Sequence, residues 1–166
     1  MKKEFVKIGK VLKTHGFKGN LKISIESIYA DDINTYKHFF IDNLPYFIDE
    51  LDDDANVYYL KFEEVDTKEQ AQELVGKDIF VDMSQLKPIQ QKLSVGLVGY
   101  VVYNGTDFLG KVIEKIELPQ QQLLNILVKN QEILIPINEN FIENIDDNIK
   151  RIVLHLPENY LQTFLQ

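Results

Sequence analysis

The sequence has no cysteine and no tryptophan, a single arginine, five prolines and eight glycines among 166 residues. Without cysteine there is no disulfide framework, no thiolate nucleophile and no cysteine-ligated metal or cluster. The three histidines, His15, His38 and His155, are far apart and form no pair at metal-ligand spacing. No apolar run approaches the roughly 20 residues that a membrane helix needs. The N-terminus, Met1-Lys2-Lys3-Glu4-Phe5, starts basic but has neither an apolar signal core nor a small-residue cleavage site. These absences predict a soluble, cytoplasmic protein with no membrane contact, no metal and no cofactor.

What is present is an ordinary globular composition, 45% hydrophobic and 27% charged. The length allows one domain or two small ones. The net charge of −8 makes a poor non-specific binder of nucleic acid, because phosphate neutralisation needs Lys and Arg. The charge is unevenly spread. Residues 1–27 hold seven lysines against two glutamates, whereas residues 28–94 hold six lysines against fifteen acids. A basic end on an acidic body suits local contact with RNA, or a main partner that is itself basic.

Strand signals dominate the first half. Phe5 to Leu12 alternates in part, and Leu21 to Glu26 alternates with period two, placing Leu21, Ile23 and Ile25 on one face. Further strands are predicted at Phe39-Phe40-Ile41, Tyr46-Phe47-Ile48 and Val57 to Phe62. One helix stands out: Thr67 and Gln70 form a capping box, Ala71, Leu74 and Val75 make an apolar stripe, and Gly76 occupies the C′ position. Ile79-Phe80-Val81 resumes a strand. Residues 87–94, polar and containing Pro88, read as a linker. Strands then restart at Leu97 to Tyr103 and Phe108 to Leu118 around Asn104-Gly105, a dipeptide suited to a type I′ turn. A second hairpin joins Leu123 to Lys129 and Glu132 to Ile137 through Asn130-Gln131. Asn138 to Asn144 suggests one helical turn, Arg151 to Leu156 a last strand, and Pro157 a short C-terminal helix.

The run Ile8-Gly9-Lys10-Val11-Leu12-Lys13-Thr14-His15-Gly16-Phe17-Lys18-Gly19 resembles the opening signature of the RimM family, bacterial ribosome maturation factors. Ala71 to Val81 is similar to that family's helix-then-strand segment. Pro119 to Leu124, Glu132 to Ile137, Phe141 to Asp146 and Lys150 to Glu158 match its second domain, in the same order. The resemblance implies an all-β chain: a translation-factor-like β-barrel over residues 1–86, a linker over 87–94 and a PRC-type β-barrel over 95–166, with few short helices. It also implies a monomeric, non-enzymatic factor. Its partners would be the head of the immature small ribosomal subunit, its rRNA and small-subunit ribosomal protein nineteen, and its role to assist rRNA processing. The family often opens its second domain with a Tyr-Tyr pair; here those positions are Lys92 and Leu93.

Candidate contact residues follow. Lys13, Thr14, His15, Gly16, Lys18 and Gly19 form a glycine-bracketed basic loop, expected to meet RNA or the ribosome; the alternative is a loop whose His15 merely fixes its own backbone. Gly16 to Gly19 echoes the G-x-x-G clamp of KH domains, but that clamp joins two helices and this one joins two strands. Leu93, Tyr100, Pro119 and Gln120 are the candidates for ribosomal-protein contact. Tyr100 and Tyr103 lie three apart, so a regular strand without a bulge puts them on opposite faces, and Tyr100 is the expected anchor; the alternative is that it packs in the barrel core with its hydroxyl reaching the surface. Asp52-Asp53-Asp54 lacks the spacing of a calcium loop and reads as a solvated turn. Two rival functions remain: a non-ribosomal two-barrel scaffold, and a small hydrolase using His15, for which the sequence offers no orienting partner motif.

Overall fold

The computed structural model describes residues 3–55, 57–94, 96–118, 121–138 and 140–164. The chain divides into two compact units, Met1–Leu86 and Lys87–Gln166. In the first, β1 (Phe5–Thr14), β2 (Leu21–Ile25), β3 (His38–Ile41), β4 (Leu44–Asp54), β5 (Val57–Phe62) and β6 (Asp78–Asp82) close into a barrel in the order β1-β2-β5-β4-β3-β6. The period-two pattern decides what fills it. Tyr58, Leu60 and Phe62 of β5 are buried while their neighbours face outward.

Closure depends on β1, which pairs with β2 along one edge and β6 along the other. Its register slips between Val11 and Lys13 against β2, and between Lys7 and Gly9 against β6. Such bulges bend a strand and raise its twist, which a six-stranded closure requires. At Gly9 a Cβ would lie 2.0 Å from the Ser24 carbonyl oxygen, so only glycine admits this approach of β2.

The expected capped helix forms as α2 (Lys68–Gln72), after the one-turn α1 (Ser27–Ala30). Thr67 Oγ1 accepts from the Gln70 amide at 3.1 Å, and Gln70 Oε1 accepts from the Thr67 and Asp66 amides at 3.2 and 2.8 Å. The helix ends at Gln72 with Glu73 as its C-cap, so Leu74 and Val75 of the expected stripe lie in the turn beyond it, and Gly76, at φ +85°, ends that turn rather than standing at C′. Asp52, Asp53 and Asp54 lie within β4, opposite Tyr59, Tyr58 and Val57, and are exposed; the expected turn at these residues is a strand end.

The second unit holds α3 (Pro88–Leu93), β7 (Val101–Asn104), β8 (Asp107–Glu117), β9 (Gln122–Val128), β10 (Gln131–Pro136), β11 (Ile142–Asp146) and β12 (Arg151–Leu154). The strands form one six-stranded sheet in the order β10-β9-β8-β7-β12-β11, antiparallel except between β12 and β7. The expected linker is mostly α3. Pro88 fits its first turn, where no amide partner is needed, and Gln90 Oε1 accepts from the Lys87 amide at 2.9 Å.

The hairpins slip by one residue from their sequence reading. Asn104 ends β7 and pairs with Asp107, so Gly105 and Thr106 make the turn, with Gly105 at φ +60°. The Asn104 side chain instead accepts from the Leu156 amide at 3.1 Å. In the next hairpin Lys129 and Asn130, at φ +49° and +65°, form the turn between Val128 and Gln131. The expected strand from Leu97 begins only at Val101, because Gly99 turns the chain at φ +93°. Of Asn138 to Asn144, expected as a helical turn, the Phe141 and Ile142 amides donate to the Asn138 carbonyl at 2.9 and 3.1 Å, whereas Ile142 to Asn144 lie in β11.

Candidate functional site

The basic loop joins β1 to β2 at one end of the first barrel. Its base is closed by the His15 amide, which donates to the Asn20 carbonyl at 2.8 Å. Both bracketing glycines take positive φ, +76° at Gly16 and +94° at Gly19, where an L side chain is disfavoured. Their surroundings differ. A Cβ on Gly16 would meet nothing within 4 Å, whereas one on Gly19 would sit 2.0 Å from the Val65 carbonyl oxygen. Gly19 is thus the seat of the loop, pressed against the segment that leads into α2.

The ring of His15 packs on Tyr59 of β5, centroids 4.5 Å apart and tilted by 43°. Tyr59 pairs with Lys22 across β2 and β5, so the contact ties the loop to the barrel wall. His15, Lys13, Gly16 and Lys18 are exposed, Thr14 is half-buried and Gly19 is buried. The structure therefore brings together the six residues expected to meet RNA, with Gly19 acting as support. The positively charged side chains point outward from a backbone held at both ends, an arrangement suited to an anion. Phe17, which the sequence reading passed over, is 81% exposed at the tip. The Lys68 ammonium at the start of α2 lies over its ring, 5.5 Å from the centroid. A large apolar residue between two glycines was the signal available.

The residues expected to grip a ribosomal protein fare differently. Leu93 is 1% exposed and Tyr100 4%, so both are core residues and the surface-contact role expected of them is corrected. Leu93 ends α3 on its inner face, and its carbonyl accepts from Lys115 Nζ at 3.0 Å. Lys92 Nζ donates to the Ile145 carbonyl at 2.7 Å. Lys92 and the Leu93 carbonyl thus fasten α3 to the sheet. The Tyr100 hydroxyl donates to Asp147 Oδ1 at 2.8 Å, and Lys150 Nζ lies 5.2 Å from its ring centroid. Tyr103 is the outward member of the pair. It meets Phe108, itself 62% exposed, with centroids 5.5 Å apart, and the Arg151 guanidinium lies 4.7 Å from the Tyr103 ring centroid. Pro119 and Gln120 lie outside the described residues.

Among the described residues, no cluster of three or more His, Asp or Glu side chains is placed to hold a metal ion. No described helix is long and apolar enough to cross a membrane.

Comparison with known proteins gives two family matches in tandem. Residues 6–86 match the model of the RimM N-terminal domain, and residues 94–160 that of the RimM PRC barrel domain. Among similar curated proteins, the ribosome maturation factor RimM of Amoebophilus asiaticus is 26% identical over 171 residues, covering 98% of this chain and 97% of its own. That of Alkaliphilus metalliredigens is 27% identical over 169 residues, covering 96% and 99%. Among solved structures, the N-terminal domain of RimM from Thermus thermophilus is 18% identical and covers 52% of this chain and 98% of its own, with a TM-score of 0.44.

Proposed function

The chain belongs to the RimM family of ribosome maturation factors, and from that premise we propose that it binds the head of the immature small ribosomal subunit. There it contacts small-subunit ribosomal protein nineteen and assists 16S rRNA processing. It works by binding rather than by chemistry: docking favours one local arrangement of rRNA and protein, to the extent that its affinity differs between the arrangements.

The observation that carries this reading is the β1–β2 loop. Residues 13–20 contain two lysines, a histidine and no carboxylate, on a backbone fixed by Gly19 and the His15–Asn20 hydrogen bond. Lys10 is exposed on the adjoining stretch of β1. This is the part of an otherwise acidic chain best suited to phosphate. The acidic remainder suits a basic ribosomal protein, where complementary charge mainly raises encounter rate and specificity. With Leu93 and Tyr100 in the core, the protein-facing anchors are assigned to Tyr103, Phe108 and Arg151, residue types that dominate binding energy at interfaces.

Sedimentation on a sucrose gradient tests the reading. The full chain is expected to travel with immature small subunits and to be absent from mature ones. Equal sedimentation with both, or with neither, would return the chain to the scaffold reading.

A further inference from the structure

Phe17 is the most exposed of the large apolar side chains in the described residues, 81% open to solvent. Leaving a phenylalanine in water forgoes the hydrophobic gain of burying it, and a loose loop would fold such a ring back onto the protein. This loop cannot easily do so. Gly19 is wedged against the Val65 carbonyl, the His15 amide is bonded to Asn20, and the His15 ring is stacked on Tyr59. The tip between Gly16 and Gly19 is consequently held out, with its ring presented.

We propose that Phe17 is a base-stacking residue: its ring takes the face of an unpaired RNA base, while Lys13 and Lys18 contact the flanking phosphates. The proposal rests on the reading of the loop as an rRNA contact and names the chemistry at its tip. Charge decides for RNA over an apolar pocket on a protein. Lys18 follows Phe17 in sequence and Lys13 stands at the end of β1 that enters the loop, both exposed, the Lys68 ammonium stands over the ring, and residues 13–20 carry no acid. An aromatic face framed by cations is the arrangement by which proteins hold single-stranded nucleic acid, because every base offers a π-face. The carboxylates nearest in sequence on the α2 side are Asp66 and Glu69, and Asp66 is engaged by Lys61 Nζ at 3.0 Å.

The test measures binding of the full chain to immature small subunits over a series of salt concentrations, for Phe17→Ala, Phe17→Leu, Phe17→Tyr and the pair Lys13→Glu with Lys18→Glu. Phe17→Ala is expected to weaken binding roughly 5- to 150-fold, the effect of removing one stacked base. Its salt slope should be unchanged, since no phosphate contact is lost. Phe17→Leu should fail like Ala, and Phe17→Tyr should restore binding. Thermal unfolding of each variant should match the parent, as the side chain is exposed. Full binding by Phe17→Ala overturns the proposal. So does full binding by Phe17→Leu, which would mean an apolar pocket on a protein. The lysine pair separates this failure from that of the wider reading. If its salt slope equals the parent's, the loop does not touch RNA at all; if the slope flattens while Phe17→Ala binds normally, the loop touches RNA without stacking.

Discussion

The β1–β2 loop and the opening of the second unit, from α3 into β7, were both expected to meet a partner, and they present their side chains in opposite ways. In the loop, His15, Phe17 and Lys18 stand in solvent; at the opening of the second unit, Leu93 and Tyr100 are sunk in the core. The difference follows from what holds each segment. Leu93 sits on the inner face of α3, and Tyr100, although it precedes β7, is held by its carbonyl accepting from the Val112 amide at 2.9 Å and its hydroxyl donating to Asp147. In the six-residue loop the tip between the two positive-φ glycines stays exposed, with the Phe17 ring meeting the Lys68 ammonium. Similar residue types therefore mean core in one region and surface in the other.

The largest effect expected from this contrast is at Tyr100. Tyr100→Ala should destabilise the protein by about 3–5 kcal/mol, as for other large aromatic deletions from a core. Tyr100→Phe keeps the ring and loses the bond to Asp147, so it should cost about 1–2 kcal/mol. Urea unfolding reads both. A fully stable Tyr100→Ala would remove the distinction between the two regions.

The next effect contrasts the two glycines of the loop. Gly19→Ala combines a positive φ with a backbone clash and should cost about 3 kcal/mol. Gly16→Ala meets open space and should cost only the left-handed backbone penalty, about 1–2 kcal/mol. Equal costs at the two sites would mean that Gly19 is not the seat.

The same inward placement has a pH signature at Tyr36, whose hydroxyl is pushed up to about 12, first by burial and second by the nearby Asp32 carboxylate. The folded state favours the neutral phenol, so the stabilisation is complete below the ordinary tyrosine value near 10. It is then lost as pH rises from there towards 12. At pH 11 the loss is roughly 1.4 kcal/mol, one pKa unit's worth. Unfolding at pH 8 and pH 11, in the parent and in Tyr36→Phe, measures it; the variant should lose less between the two. An identical loss in both would assign the alkaline sensitivity elsewhere.

Local signals were legible in the sequence wherever one residue type decides one geometry. Thr67 and Gln70 announced the start of α2, though its end at Gln72 comes four residues before the Gly76 expected to mark it, and the alternation from Val57 to Phe62 marked β5. The glycine-bracketed loop was legible too, although Phe17 at its tip was not weighed. What escaped depends on distant partners. Tyr100 and Tyr103 were read on one regular strand, but Tyr100 precedes β7 and the register shifts between Val102 and Tyr103 against β8, so strand parity does not decide which of them faces inward. The turn at Gly105 slipped because the Asn104 side chain bonds to Leu156, 52 residues away. Residues 87–94 looked polar enough for a linker because Lys92 and Gln90 are polar. Yet Gln90 is buried, and Lys92 ties α3 to the carbonyl of Ile145.

The smallest effect concerns what the loop rests on. Gly19 abuts Val65, and two residues later Thr67 caps α2, whose Lys68 reaches over Phe17. Thr67→Ala removes the oxygen that accepts the Gln70 amide and should cost about 1 kcal/mol, the usual worth of an N-cap. Since α2 is only five residues long, the loss should stay local. Amide exchange should quicken in α2 and at His15, whose amide closes the loop, and remain unchanged in β7 to β12. Thr67→Ser, which keeps the oxygen, should restore the parent pattern. If exchange at His15 does not respond although α2 loosens, the loop is held by His15 on Tyr59 alone. The contrast between a seated loop and a buried opening would then rest on one ring contact rather than on the floor beneath Gly19.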